Sequence, residues 1–147
     1  MELVPASFSL AGATFVDIGS GMGRVVMLAS HHPFRQVLGI EISPALHEIA
    51  RENVRVYTDA RQRCRDIRLV RADAAEVALP PGNLAIYLYN PFQGRILARL
   101  LERLHDDRRE IVLLYHTAVE REVIERNPAF ETIGDVEFGA AYRASFA

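Results

Sequence analysis

Short apolar runs recur along the chain. Most of them are separated by longer segments in which apolar residues follow a helical spacing. Five runs, at residues 15–18, 37–40, 67–70, 84–89 and 111–115, are short enough for strands buried on both faces. Apolar positions three and four residues apart predict helices at about 22–30, 44–57, 96–104 and 119–127. Strands that alternate with helices favour a parallel sheet covered on both faces.

The helices have apolar faces that we expect to pack on this sheet. Ser43 and Pro44 are typical of the N-cap and first turn of a helix. The residues expected to face inward are Val25, Val26, Leu28 and Ala29 in the first helix, and Leu46, Ile49, Ala50, Asn53, Val54 and Tyr57 in the second. The last two strands, 130–136 and 141–146, lack an intervening helix and should pair as a hairpin. We therefore predict an α/β three-layer sandwich with a mostly parallel seven-stranded sheet and an antiparallel C-terminal hairpin strand.

Composition narrows the class of protein. The 147 residues are 50% hydrophobic with a formal net charge of −2, which favours a single domain over 1–147 and gives no sign of a nucleic-acid or membrane partner. No apolar run is long enough to cross a bilayer, and the basic region of a signal peptide is missing. Cys64 is the only cysteine and the histidines lack metal-ligand spacing, so we expect a cytoplasmic protein without a disulfide or a metal.

Every basic residue is an arginine, because the sequence contains no lysine. Schiff-base chemistry and a P-loop lysine are therefore excluded. One stretch is rich in basic side chains: Arg51, Arg55, Arg61, Arg63, Arg65, Arg68 and Arg71. A nucleic-acid surface is one interpretation, but Asp59 and Asp66 interrupt the stretch and no aromatic residues are evenly interleaved. We prefer a solvated helix and loop.

The first predicted strand runs into a glycine-rich turn that contains Gly19, Ser20, Gly21 and Gly23. A strand, a glycine turn and a helix in this order are typical of a nucleotide-binding site, where glycines let the ligand approach the backbone. Asp17, just before the turn, would repel a pyrophosphate and attract a cofactor with positive charge. The spacing is G-x-G-x-G, since Arg24 stands where the dinucleotide-binding pattern has its third glycine.

Other candidate side chains follow the next strands, where open α/β sheets bind their ligands. Glu41 ends the second strand at about the interval after Gly21 that a ribose-binding acid has, and Ile42 beside it could pack against adenine. Asp73 and Ala74 follow the third strand. A surface acid at Glu41 and a helix N-cap at Asp73 are the structural alternatives.

The D-x-G-x-G-x-G pattern resembles motif I of class I S-adenosylmethionine (SAM) dependent methyltransferases, and the predicted seven strands match their fold. SAM carries a sulfonium and an ammonium but no phosphate, which suits Asp17. The resemblance is to small bacterial members with D-I-G-S-G-x-G-R and N-P-F motifs, and it covers nearly the whole chain. It implies that Asp17 and the glycine turn bind the methionine moiety, that Glu41 binds ribose, and that Asp73, with Ala74 beside it, binds adenine.

Asn90, Pro91 and Phe92 follow the fourth strand. They are similar to the Asn-Pro-Pro-aromatic motif of amino-group methyltransferases, with one proline missing, and more loosely to the Asn-Asn-Phe segment of non-SET lysine methyltransferases. The resemblance implies that Asn90 is a catalytic residue that orients an acceptor such as a nitrogen; a strand stop with a buried aromatic is the alternative. Tyr115 and His116, which face the same side as the site, are candidate general bases, although an ordinary strand end is preferred.

These features predict an enzyme, a SAM-dependent methyltransferase with a small-molecule or protein acceptor rather than a nucleic acid. Members of the resembled family usually carry a helical segment before the first strand, and roughly a dozen residues precede it here. A SAM-binding regulatory or scaffold protein without catalysis is therefore kept as the alternative. The acid at Asp17 and the glycine spacing disfavour an NAD(P) oxidoreductase.

Overall fold

A seven-stranded sheet with helices on both faces organises the protein. The computed structural model describes residues 3–89, 94–104 and 109–145. A short 3-10 turn at Leu10–Gly12 precedes the first strand. In chain order the elements are β1 (Thr14–Ile18), α1 (Arg24–Ala29), β2 (Gln36–Glu41), α2 (Pro44–Val56), β3 (Ile67–Arg71), β4 (Leu84–Tyr89), α3 (Gly94–Leu104), β5 (Glu110–His116), α4 (Arg121–Glu125), β6 (Phe130–Val136) and β7 (Gly139–Ser145).

The strand order places the candidate residues at one edge of the sheet. The order is β3-β2-β1-β4-β5-β7-β6, with the first five strands parallel and β7 antiparallel to both of its neighbours. This confirms the predicted mixed sheet with an antiparallel C-terminal strand. Because the order reverses beside β1, the carboxyl ends of β1 and β4 flank the crevice in which such sheets bind ligands.

Two apolar cores cover the two faces of the sheet. On one face α3 buries Leu97, Leu100, Leu101 and Leu104 against the even-numbered residues of β4. On the other face Phe15 and Val37 pack with Val26 of α1 and with Phe34. The burial of both faces explains why the central strands are almost continuous apolar runs.

The two helices on the second face, α1 and α2, bury fewer apolar side chains than their sequences suggest. Ala50 of α2 is fully buried, but Leu46 and Ile49 of the same helix are 37% and 43% exposed, and Leu28 of α1 is also exposed. The prediction that these three side chains pack on the sheet is therefore wrong. Ala50 lies close to Gly23, with its Cβ 3.3 Å from the position that a Cβ added to this glycine would take, whereas Leu46 and Ile49 of the same helix remain exposed.

The N-terminus of α2 forms as predicted. Ser43 is the N-cap, its hydroxyl accepts a hydrogen bond from the backbone N–H of Leu46 at 3.4 Å, and Pro44 is the first helical residue. With 13 residues, α2 is the longest of the described helices, and none of those helices has the length and apolar content that a bilayer crossing requires.

The connection between β3 and β4 departs from strand–helix alternation. The backbone N–H groups of Glu76 and Val77 both donate to the carbonyl of Asp73, which closes one turn. No helix follows in this connection, all of whose residues are described. The backbone N–H of Ala72 donates to the carbonyl of Glu41 at 3.1 Å, so Asp73 lies at the carboxyl edge of the sheet, close to the end of β2.

A close backbone approach in the β5–β7 pair yields a test of the fold. Gly139 lies opposite His116, and a Cβ at Gly139 would overlap the carbonyl oxygen of Tyr115 and lie 3.1 Å from the Cα of His116. Both are backbone atoms of the neighbouring strand. We therefore expect Gly139→Ala to lower the free energy of unfolding by about 1–3 kcal/mol, measured by urea unfolding followed with circular dichroism.

Gly12→Ala is the matched control, because the nearest atom to its added Cβ would be 3.6 Å away. We expect this variant to unfold with the wild-type midpoint. Equal stability of the two glycine variants would contradict the close approach at Gly139.

Candidate functional site

The glycine turn between β1 and α1 has the left-handed backbone that its sequence predicts. The φ angles are 78° at Gly19, 53° at Gly21 and 84° at Gly23, a region that side chains other than glycine rarely adopt. The backbone N–H groups of Gly19 and Ser20 both donate to the carbonyl of Ile40, at 2.9 and 3.0 Å. The turn is thereby held against the end of β2.

Glu41 joins the glycine turn to the start of α2. Its Oε2 accepts a hydrogen bond from the backbone N–H of Gly21 and its Oε1 accepts one from Ser43, both at 2.8 Å. The side chain is buried, with 7% of its surface exposed. A carboxylate has about four lone-pair sites, so each oxygen can accept a further hydrogen bond from a ligand hydroxyl. Sequence spacing placed Glu41 in the site but did not indicate that it also holds the turn.

Asp17 is buried beneath this turn, near the end of β1. It pairs with Gly39 of β2 and Tyr87 of β4 in the two parallel ladders. Burial, and to a smaller extent the nearby Glu41 carboxylate, raises the pKa of Asp17 from 3.8 to about 7. In the protein without a ligand, ionisation of the Asp17 carboxyl therefore costs free energy. A cation bound beside this carboxylate would be strongly favoured.

A cavity of about 230 Å³ opens at the carboxyl ends of the strands next to the turn. Its lining residues are Gly19, Ile40, Glu41, Ile42, Ala72, Asp73, Ala74 and Tyr89. The structure thus brings together Gly19, Glu41, Ile42, Asp73 and Ala74 of the predicted set. Asn90, with Pro91 and Phe92, lies outside the described residues.

The chemistry of the lining fits a nucleoside better than a phosphate. Glu41 and Asp73 supply carboxylate acceptors, while the part of the lining that the structure describes contains no arginine or histidine. One oxygen of Asp73 accepts a hydrogen bond from the backbone N–H of Ala75 at 2.8 Å, which stabilises a turn; because no helix follows in this connection, Asp73 is not a helix N-cap. Ile42, 66% exposed, offers an apolar surface at the mouth of the cavity.

Sequence reasoning missed the aromatic residues at the end of β4. Tyr89 lines the cavity, and Tyr87 lies two positions earlier on the same face of the strand. The alternation of β4 was the available signal, because Tyr87 and Tyr89 fall on the face that carries Asp17 in the neighbouring strand.

The two candidate bases at the end of β5 have different surroundings. Tyr115 is buried in the core against α3 and α4, and its hydroxyl accepts a hydrogen bond from the backbone N–H of Glu120 at 3.3 Å. His116 points to the opposite face, where its ring stacks on Tyr89 with centroids 4.8 Å apart. Only His116 therefore lies on the face of Tyr87 and Asp17.

The arginine-rich stretch is a charged surface with much internal pairing. Four of its arginines form ion pairs with acids close in sequence: Arg51 with Glu48, Arg55 with Glu52, Arg61 with Asp59 and Arg68 with Asp66. The paired acids offset much of the positive charge. This arrangement agrees with the preferred interpretation of a solvated helix and loop.

Comparison with known proteins assigns the family. Residues 11–88, more than half of the chain, match the sequence model of a family described as a putative methyltransferase. The chain belongs to this family. The predicted relationship to methyltransferases is thereby confirmed.

One curated relative supports the same relationship over a shorter segment. The release factor glutamine methyltransferase of Vibrio cholerae serotype O1 is 41% identical to this chain over 54 residues. The match covers 36% of this methyltransferase family member and 19% of the relative. The aligned segment is therefore about a fifth of that protein.

Solved structures share the fold of this family member. The magnesium protoporphyrin IX methyltransferase of Synechocystis PCC 6803, with bound SAM, superimposes over 95% of this chain and 72% of its own, with a TM-score of 0.61 and 14% identity. An RNA methyltransferase from Salinibacter ruber, in complex with S-adenosylhomocysteine, has a TM-score of 0.55 and 22% identity over 90% and 80% of the two chains. The ribosomal protein L11 methylase of Lactobacillus delbrueckii has a TM-score of 0.58 and 18% identity, over 91% of this chain and 70% of its own. The predicted Rossmann-like methyltransferase fold is confirmed.

The raised pKa of Asp17 can be tested in the protein without a ligand. An acid whose pKa is higher in the folded state than in the unfolded state contributes stability that is present below pH 4 and is lost as the pH rises through 7. We expect the stability of the wild type relative to Asp17→Asn to fall by roughly 3–4 kcal/mol between pH 4 and pH 8. Urea unfolding at half-unit pH steps measures this difference.

Asp66→Asn is the control for the Asp17 titration. Hydrogen bonds from Gln36 and Arg68 lower the pKa of Asp66, so its contribution to stability changes only in the acid range. The difference between the wild type and Asp66→Asn should be constant above pH 5. If Asp17→Asn shows the same constant difference, the Asp17 carboxyl titrates normally and the assigned burial effect is wrong.

Proposed function

We propose that this member of the methyltransferase family binds SAM in the cavity beside the glycine turn and transfers its methyl group to an acceptor held next to it. The observation that carries the proposal is the cavity lining, in which the carboxylates of Glu41 and Asp73 lie at the strand ends and no described lining residue has a cationic side chain. This lining suits a nucleoside with positive charge and no phosphate.

Each candidate residue has a proposed contact. Asp17 and the turn formed by Gly19, Ser20, Gly21 and Gly23 hold the methionine part, with the Asp17 carboxylate attracting its ammonium. Glu41 accepts hydrogen bonds from the ribose hydroxyls with the lone pairs that Gly21 and Ser43 leave available. Asp73 accepts one from the adenine amino group, and Ile42 and Ala74 contact the faces of the base. Asn90 orients the acceptor.

SAM bound in this arrangement would provide the methyl group and the fixed geometry that methyl transfer requires. When bound, SAM offers an electrophilic methyl group on a sulfonium whose departure needs no proton. The contribution of the protein is to fix the position of the reactants, which can account for a large share of a rate enhancement. The carboxylates of Asp17, Glu41 and Asp73, the left-handed turn and the hydrogen-bonded strand ends are groups that can fix such a position.

The acceptor is proposed to be a small molecule or a protein side chain, and the setting cytoplasmic. The pairing of four arginines in the basic stretch with local acids argues against a surface for nucleic acid. The single cysteine, Cys64, is free and buried, as suits a reducing compartment.

Calorimetric titration of the chain with SAM, S-adenosylhomocysteine and NAD tests the proposal. We expect the first two to bind and NAD not to bind. Glu41→Ala should weaken SAM binding by at least about 30-fold, because it removes the charged acceptor of two ligand hydroxyls and also the acceptor of the hydrogen bond that the Gly21 N–H donates. The variant should be compared at equal folded fraction, determined by circular dichroism.

Glu48→Ala is the matched control, since Glu48 lies on the exposed surface of α2 and pairs only with Arg51 among the described residues. Its SAM affinity should equal that of the wild type. Binding of NAD, or equal SAM affinity of the Glu41 and Glu48 variants, would contradict the proposed site. SAM binding without methyl transfer to any acceptor would instead support the non-catalytic alternative.

A further inference from the structure

A second cavity, of about 200 Å³, lies between β4, β5 and β7 on the face of the sheet that carries Asp17. Its walls are mainly apolar and aromatic, with Leu114, Phe138 and Ala140 among them. Tyr87 and His116 supply the side-chain polar groups on the open face. Among the described residues, the lining contains no carboxylate and no arginine, so this part of the cavity suits a neutral ligand.

A row of aromatic rings connects this cavity to the SAM cavity. The ring centroids of Tyr87 and His116 are 6.5 Å apart at an interplanar angle of 22°, and those of His116 and Tyr89 are 4.8 Å apart at 25°. Tyr89 also lines the SAM cavity. At the other end of the row, Tyr87 is the ladder partner of Asp17. The two cavities are therefore neighbours, separated by flat side chains.

The imidazole of His116 contains an unused hydrogen-bonding atom. Its Nδ1 is buried and has no hydrogen-bond partner in the part of the chain that the structure describes. A buried polar atom without a partner is unfavourable, so a ligand that donates a hydrogen bond to it gains affinity. His116 lines the second cavity, and rotation of its ring about the Cβ–Cγ bond, which exchanges Nδ1 with Cδ2 in the same volume, is the movement by which a donor in the cavity would reach the nitrogen.

We propose that this second cavity is the acceptor site and that it takes a small, neutral, planar aromatic group with an O–H or N–H, which donates a hydrogen bond to His116. The inference rests on the proposed function, because it takes the neighbouring cavity to hold SAM. Tyr87 and Phe138 contact the faces and edges of the ring, and His116 selects for the donor group. A volume of about 200 Å³ has room for one ring or two fused rings.

The test compares two probes of nearly the same shape, phenol and toluene, of which only phenol has a donor. Dissociation constants are measured by NMR titration on the wild type and on His116→Phe, which keeps a flat ring and removes the nitrogen. We expect the preference for phenol over toluene to fall three- to tenfold in His116→Phe, and the His116 ring signals of the wild type to shift with phenol. A general disturbance of the cavity weakens both probes alike, so it leaves the ratio of their dissociation constants unchanged.

Two further variants keep the test independent of folding defects. Phe138→Ala removes an exposed wall residue, so it should weaken both probes and leave their ratio unchanged. His47→Phe, on α2, should change neither affinity. Equal phenol-to-toluene ratios in the wild type and His116→Phe, or the absence of shifts at His116, would overturn the assignment.

SAM titration of the same samples separates the two proposals. If SAM binds and the aromatic probes do not, the acceptor-site inference is wrong while the proposed function stands. If the probes bind with the expected ratio and SAM does not, the proposed function fails, and the assignment of this cavity as an acceptor site fails with it.

Discussion

The candidate site depends on one carboxylate. Glu41 accepts hydrogen bonds from the turn after β1 and from the first residue before α2, so it fixes three segments around the same point. The carbonyl of Ile40, one residue earlier, holds the other side of the glycine turn. The end of β2 is thus the support on which the glycine turn, the adjacent cavity and the start of α2 are placed.

Much of the fold could be predicted because its strands and helices differ in period and length. The central strands are buried on both faces and appear as uninterrupted apolar runs, and Ser43-Pro44 marks the beginning of α2 from local chemistry alone. The exposure of Leu46 and Ile49 could not be predicted in this way. Helical periodicity identifies the face of α2 that turns toward the sheet but not how much of that face is covered, and of Leu46, Ile49 and Ala50 only Ala50 is buried.

The candidate site was predictable where local sequence specifies a backbone conformation, and less so where residues meet across the sheet. The glycine pattern specifies the left-handed turn, and the register of β1 and β2 brings Glu41 to it. The hydrogen bond from Gly21 and the row of rings through His116 depend on which strands are neighbours. Strand order is a property of the whole sheet and not of local sequence. The contact of Tyr89 with His116 therefore follows only from the pairing of β4 with β5.

The insertion of β7 between β5 and β6 has a consequence for biosynthesis. During translation, β6 leaves the ribosome before β7, yet its only strand partner in the described sheet is β7. Until β7 has also been made, β5 presents an unsatisfied strand edge and β6 has no place to dock. The nascent chain therefore has an open β-edge until β7 is released, and it is in this interval that pairing with another polypeptide would compete with correct folding.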